Sequence, residues 1–88
     1  MSTGGSGVVT VRYFAGAQAA AGVGEETIPA AGPQALEALT GELARRHGPA
    51  LERVLAAAAF LIDEVPGSRD RVVPSGAVVD VLPPFAGG

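Results

Sequence analysis

Hydrophobic and polar positions alternate along Val8–Phe14 (VVTVRYF). Val9, Val11 and Tyr13 fall on one face, and Val8, Thr10, Arg12 and Phe14 on the other. A period of two predicts a half-buried strand. The stretch 15–26 (AGAQAAAGVGEE) breaks that alternation and reads as a turn of the chain. Glu26–Ala30 then predicts a second strand returning as a hairpin, with Pro29 confining it to a sheet edge or a strand end.

The period next changes to between three and four. Leu36, Leu39 and Leu43, with Ala35 and Ala44 nearby, form one apolar stripe and predict a helix. Its expected start is Pro33, after Gly32, because the first helical N–H has no intrahelical partner to lose. Glu42 reaches Arg46 at i,i+4, and Gly48-Pro49 stops the helix. Gly41 in its middle costs about 1 kcal/mol relative to alanine. His47, in ARRHGP, reads as a last-turn cation favoured by the helix dipole rather than as a catalytic base.

Pro49–Ala56 predicts a short second helix using Leu51, Val54 and Leu55. Phe60–Ile62 reads as a strand, followed by the acidic pair Asp63-Glu64 and a turn at Pro66-Gly67. Arg71–Val73 reads as a short strand, Pro74-Ser75-Gly76 as a turn and Val78–Leu82 as the last strand. On that strand Val79 and Val81 face one way, and Val78, Asp80 and Leu82 the other.

This order predicts an α+β fold, a mixed sheet with one main helix packed across one face. The first and last strands are the most hydrophobic and are expected side by side at its centre. Arg12 and Asp80 then share the face away from the helix and can pair, an exposed ion pair contributing at most about 1 kcal/mol. Three segments follow: a flexible leader at 1–7, a folded domain at 8–82 and an extended tail at 83–88.

Composition narrows the chemistry. The chain has 88 residues, enough for a single modest core, and 48% of them are hydrophobic, which suits a globular fold. No apolar run approaches a membrane span, and MSTGGSG lacks the regions of a signal peptide, so a cytoplasmic protein is expected. Net charge is −3 and the six basic residues, all arginine, gather into no stripe, so nucleic acid is not an expected partner. With no cysteine and one histidine, a thiolate metal site and a cysteine nucleophile are excluded, and no metal is expected. With no lysine there is no Schiff-base nucleophile and no side-chain amine to accept an acyl group. What remains is the ending, VVDVLPPFAGG.

That ending, after this order of elements, resembles the MoaD/ThiS sulfur-carrier family of ubiquitin-like β-grasp proteins. The likeness spans Val8–Gly88, and its most specific part is Pro83-Pro84, an apolar residue, then Ala86-Gly87-Gly88. The proline pair is most like MoaD, the small subunit of molybdopterin synthase. VRYFAGAQAAAG is similar to the family's first strand and turn, with Gln18-Ala19 where MoaD commonly has Arg-Glu. Pro74-Ser75-Gly76-Ala77 stands where the family often has Asp-Gly-Asp.

The resemblance implies a carrier and not an enzyme. The Gly88 carboxylate is the reactive group, next to Gly87, and no cofactor is bound. An E1-like adenylyltransferase of the MoeB/ThiF type uses ATP and magnesium to adenylate that carboxylate. A sulfur donor protein then displaces AMP, and the resulting thiocarboxylate passes sulfur to an acceptor such as the molybdopterin synthase large subunit. Other carrier pathways (thiamine, cysteine, a sulfur-containing natural product) stay open, as do a ubiquitin-like modifier and a plain binding module. Glycines at 87 and 88 have no Cβ to block a narrow channel. Pro83 and Pro84 hold the exit extended, with fewer conformations to lose on insertion. Phe85 and Ala86 are expected in a partner's pocket, and Phe14, Pro66 and Leu82, with Val78, on an exposed docking face.

Overall fold

The computed structural model describes residues 7–84. Strands β1 (Val8–Tyr13), β2 (Glu25–Pro29), β4 (Ala59–Ile62), β5 (Val65–Pro66) and β7 (Val78–Leu82) form one sheet in the order β2-β1-β7-β4-β5. β1 and β7 run parallel at its centre and the remaining pairs are antiparallel, so the expected central placement holds. A second sheet pairs β3 (Gln34–Ala35) with β6 (Val72–Val73). Helices α1 (Gly16–Ala21), α2 (Leu36–His47) and α3 (Pro49–Ala57) complete the α+β fold.

The period-two reading of β1 matches its burial. Val9, Val11 and Tyr13 are buried, and β7 repeats the pattern with Val79 and Val81 at 0% exposure. These side chains meet Leu36, Leu39 and Leu43 of α2 and Leu51 and Leu55 of α3 in one core. Each leucine fully removed from water contributes about 1.5–3 kcal/mol relative to leaving it exposed. Ala35, included in the predicted stripe, is exposed, while Ala44 is half-buried against the core.

Two segments differ from the sequence reading. The stretch 15–26 is not only a turn: Gly16–Ala21 forms α1, which buries Ala17 and ends on Gly22 at φ 81°. Four alanines with high helix propensity and a glycine able to take the left-handed cap give a physical reason. The main helix also starts later than Pro33. Gln34 and Ala35 pair with Val73 and Val72, and the Leu36 and Glu37 N–H groups donate to the Arg71 and Arg69 carbonyls, each at 2.8 Å. A neighbouring loop therefore satisfies the helix's orphan donors, a contact that no local signal announces.

The chain reversal after β4 falls on the acidic pair itself. Asp63 (φ 49°) and Glu64 (φ 70°) make a two-residue hairpin between the paired Ile62 and Val65, and Pro66 lies in β5 rather than in the turn. Asp63 is clamped to β7 twice: its N–H donates to the Val78 carbonyl at 2.8 Å and its Oδ1 accepts the Val78 N–H at 2.9 Å.

Candidate functional site

Parallel pairing of β1 with β7 fixes where the chain leaves the sheet. Tyr13 stands opposite Val81, the Phe14 N–H donates to the Val81 carbonyl at 3.3 Å, and Ala59 stands opposite Leu82. Leu82 and Pro83 are half-buried and Pro84 is exposed. The chain thus comes off the sheet between Phe14 on one side and the start of β4 on the other. Phe85, Ala86, Gly87 and Gly88 lie outside the described residues, as do Met1–Ser6 of the expected leader.

One row crosses the open face of the five-stranded sheet: Glu25, Arg12, Asp80, Leu61 and Pro66 are successive register partners from β2 to β5. Next to it stand Val78 and Leu82 of β7, both half-buried. Phe14 is 41% exposed and Pro66 is exposed. Phe14, Pro66, Leu82 and Val78 are therefore at least partly accessible, and on this face they flank the charged positions Glu25, Arg12 and Asp80.

Arg12 and Asp80 form the expected pair, at 2.6 Å from Nε to Oδ1 and 3.0 Å from Nη2 to Oδ2. The pair is less exposed than the sequence suggests. The Asp80 side chain is only 7% exposed, lying between the Arg12 and Leu61 positions of its two neighbouring strands. The hydrogen bond to Asp80 and then its charge hold the Arg12 guanidinium still more firmly protonated; desolvation opposes this, and Glu25 and Glu64 add to it.

On the helix side of the sheet, Glu26 of β2 joins three elements. Its Oε2 accepts the Tyr13 hydroxyl at 2.5 Å and lies 2.5 Å from His47 Nε2, while the His47 ring meets Tyr13 edge-on at 6.0 Å. Burial first, and the bond to Glu26 second, push the Tyr13 hydroxyl far above the usual tyrosine range. The last residue of α2 is thus tied to β1 and β2, so the His47 ring has tertiary partners beyond its place at the helix end. Sequence reading missed this cluster because its members are 13 and 21 residues apart with no local pattern. The expected Glu42–Arg46 contact is present at 3.1 Å, with Arg45 added at 2.7 Å.

Among the described residues, no group of three or more histidine, cysteine or acidic side chains is gathered to hold a metal ion. No helix among them is long and apolar enough to cross a membrane.

A protein-family model, the ThiS family, matches residues 11–88. Among solved structures, SAMP1 from Haloferax volcanii superposes with a TM-score of 0.80 at 22% identity, over 93% of this chain and 100% of that one. A Pyrococcus furiosus protein described as molybdopterin converting factor, subunit 1, gives 0.74 at 27% identity over 91% and 100%. A complex of subunits 1 and 2 of molybdopterin-converting factor from Helicobacter pylori gives 0.63 at 23% identity over 92% and 99%. A search of curated proteins gives no significant match.

Proposed function

The chain belongs to the ThiS family, within the ubiquitin-like sulfur carriers and small modifiers, and from that membership we propose that it is a sulfur carrier whose reactive group is the Gly88 carboxylate. The observation that carries this reading is the extent of the family match, which runs from the first strand through Gly87 and Gly88. The protein acts as a co-substrate in the cytoplasm, binding no cofactor of its own.

A carboxylate is a poor electrophile, and adenylation supplies the missing leaving group. An E1-like partner joins a Gly88 oxygen to the α-phosphorus of ATP, with magnesium, and pyrophosphate departs. Sulfide-level sulfur released from a donor protein then adds to the carbonyl, AMP leaves as the C–O bond breaks, and no change of oxidation state is needed. The thiocarboxylate that results is an anionic sulfur nucleophile, which does the work of a thiolate in a chain without cysteine. A side chain at 88 would put a methyl or more beside the carbon under attack, and one at 87 would widen the tail just before it; glycine avoids both.

The acceptor favoured here is a molybdopterin synthase large subunit. The Pro83-Pro84 step and the likeness to a molybdopterin converting factor subunit 1, one relative of which is solved with its subunit 2, support it. Phe14, Pro66 and Leu82, with Pro83, Pro84, Phe85 and Ala86, form the docking surface that guides the tail. A second reading, a ubiquitin-like modifier joined to target lysines through Gly88, has its own support in the likeness to small archaeal modifier protein 1 of Haloferax volcanii and of Methanosarcina acetivorans. Removing Gly88 tests both readings. Sulfur transfer and protein conjugation should be lost with the fold intact, and retained transfer would refute the role of the terminus. Lysine-linked adducts in an extract, with no sulfur passed to a synthase, would favour the modifier.

A further inference from the structure

A cleft of about 490 Å³ opens beside the point where the chain leaves the sheet, between the end of α3, the start of β4 and the loop after β5. Ala58, Ala59, Phe60 and Pro66 make it mainly apolar, and Arg69 is its cation. Arg69 is fixed rather than loose. Its guanidinium carbon lies 5.3 Å from the centre of the Phe60 ring, and its Nη2 donates to the Leu55 carbonyl at 2.5 Å. A planar guanidinium held over one aromatic ring has a second face on which another ring can stack.

The register says what is within reach. Ala59, a wall of the cleft, is the partner of Leu82 on the adjacent strand. Neighbouring strands are about 4.8 Å apart. Phe85 is three residues beyond Leu82, and three extended residues span about 10 Å. The nearest large apolar side chain in the sequence after β7 therefore has the length of chain needed to enter the cleft, and the proline pair limits the routes it can take.

We propose that Phe85 docks in this cleft of its own chain, its ring against Ala58 and Ala59 and beside the Arg69 guanidinium. The root of the tail is then held at home, and a partner that takes Gly88 into its active site must first draw Phe85 out. That consequence rests on the carrier reading; the docking itself does not.

The test needs no partner enzyme. The chain has no tryptophan, so Phe85→Trp introduces a single indole reporter. The expected result is blue-shifted emission and an iodide quenching constant about threefold below that of the urea-unfolded chain, since a formed cleft covers roughly 70–90% of what it binds. Ala59→Glu or Ser68→Glu, both at exposed positions of the cleft, should raise quenching to the unfolded value with the circular dichroism spectrum unchanged. Ala50→Glu, exposed at the start of α3, should leave it low. Quenching equal to that of the unfolded chain in the parent Phe85→Trp protein overturns the proposal. So does shielding that grows with protein concentration, which would assign the cleft to a second copy's tail. Neither result bears on whether Gly88 accepts sulfur.

Discussion

Arg12 and Asp80 lie directly opposite one another on the two parallel central strands, joined through both guanidinium nitrogens that face the carboxylate. Asp80 is two residues before the last residue of β7, so the pair clamps the strand that leads into the tail.

Because the Asp80 side chain is 7% exposed while Arg12 is 40% exposed, the two partners are not equivalent. Arg12→Ala leaves a buried acidic group without its partner. It should lower the melting temperature more than the double variant Arg12→Ala/Asp80→Ala, which removes both charges. Arg45→Ala, whose side chain is 73% exposed, should change little. Thermal unfolding of the four proteins checks the ranking.

Tyr13 makes stability fall at alkaline pH. Its folded pKa is raised, by burial first and by Glu26 second, whereas the unfolded tyrosine ionises near pH 10. Its contribution is therefore complete below about pH 10 and is lost as pH rises from there toward the folded value. The expected slope is about 1.4 kcal/mol of stability per pH unit above pH 10, absent in Tyr13→Phe. Tyr13 is the only tyrosine, so tyrosinate absorbance reads it alone. Ordinary titration near pH 10 in the folded protein would contradict the burial account.

Glu64 occupies a left-handed conformation, φ 70°, that costs a side-chain-bearing residue about 1–2 kcal/mol. Glu64→Gly should raise stability by about 1 kcal/mol, with the hairpin register of Leu61 and Pro66 unchanged. Chemical denaturation measures the gain, and a loss would show that the Glu64 side chain contributes more than its backbone costs.

Two positions on α2 should respond in opposite directions. A Cβ at Gly41 meets nothing within 4 Å, so Gly41→Ala should stabilise by up to about 1 kcal/mol. Leu43, with no exposure, should cost about 2–5 kcal/mol on conversion to alanine. Urea midpoints report both.

The central strands and the apolar faces of α2 and α3 were legible because their periods of two and between three and four survive into the fold. Val9, Val11, Val79 and Val81, and Leu36, Leu39 and Leu43, are buried where the alternation and the stripe put them. Even the Arg12–Asp80 pair was readable, once two hydrophobic strands were set side by side. Features that depend on tertiary partners were not readable. The start of α2 is decided by carbonyls of Arg69 and Arg71, more than 30 residues away in sequence. Glu26 reads locally as one more surface acid, yet it binds Tyr13 and His47. The candidate site divides in the same way: the residue types of the tail and the family likeness are what the carrier proposal rests on, whereas the cleft beside Ala59 needs the folded sheet.

The most direct test of the carrier reading is the intact mass of the protein after incubation with an E1-like adenylyltransferase, ATP, magnesium and a sulfur source. Replacement of one Gly88 carboxylate oxygen by sulfur adds about 16 Da, and the gain should vanish when ATP is omitted or Gly88 is removed. An unchanged mass, under conditions in which the same enzyme converts an established family member, would contradict the account.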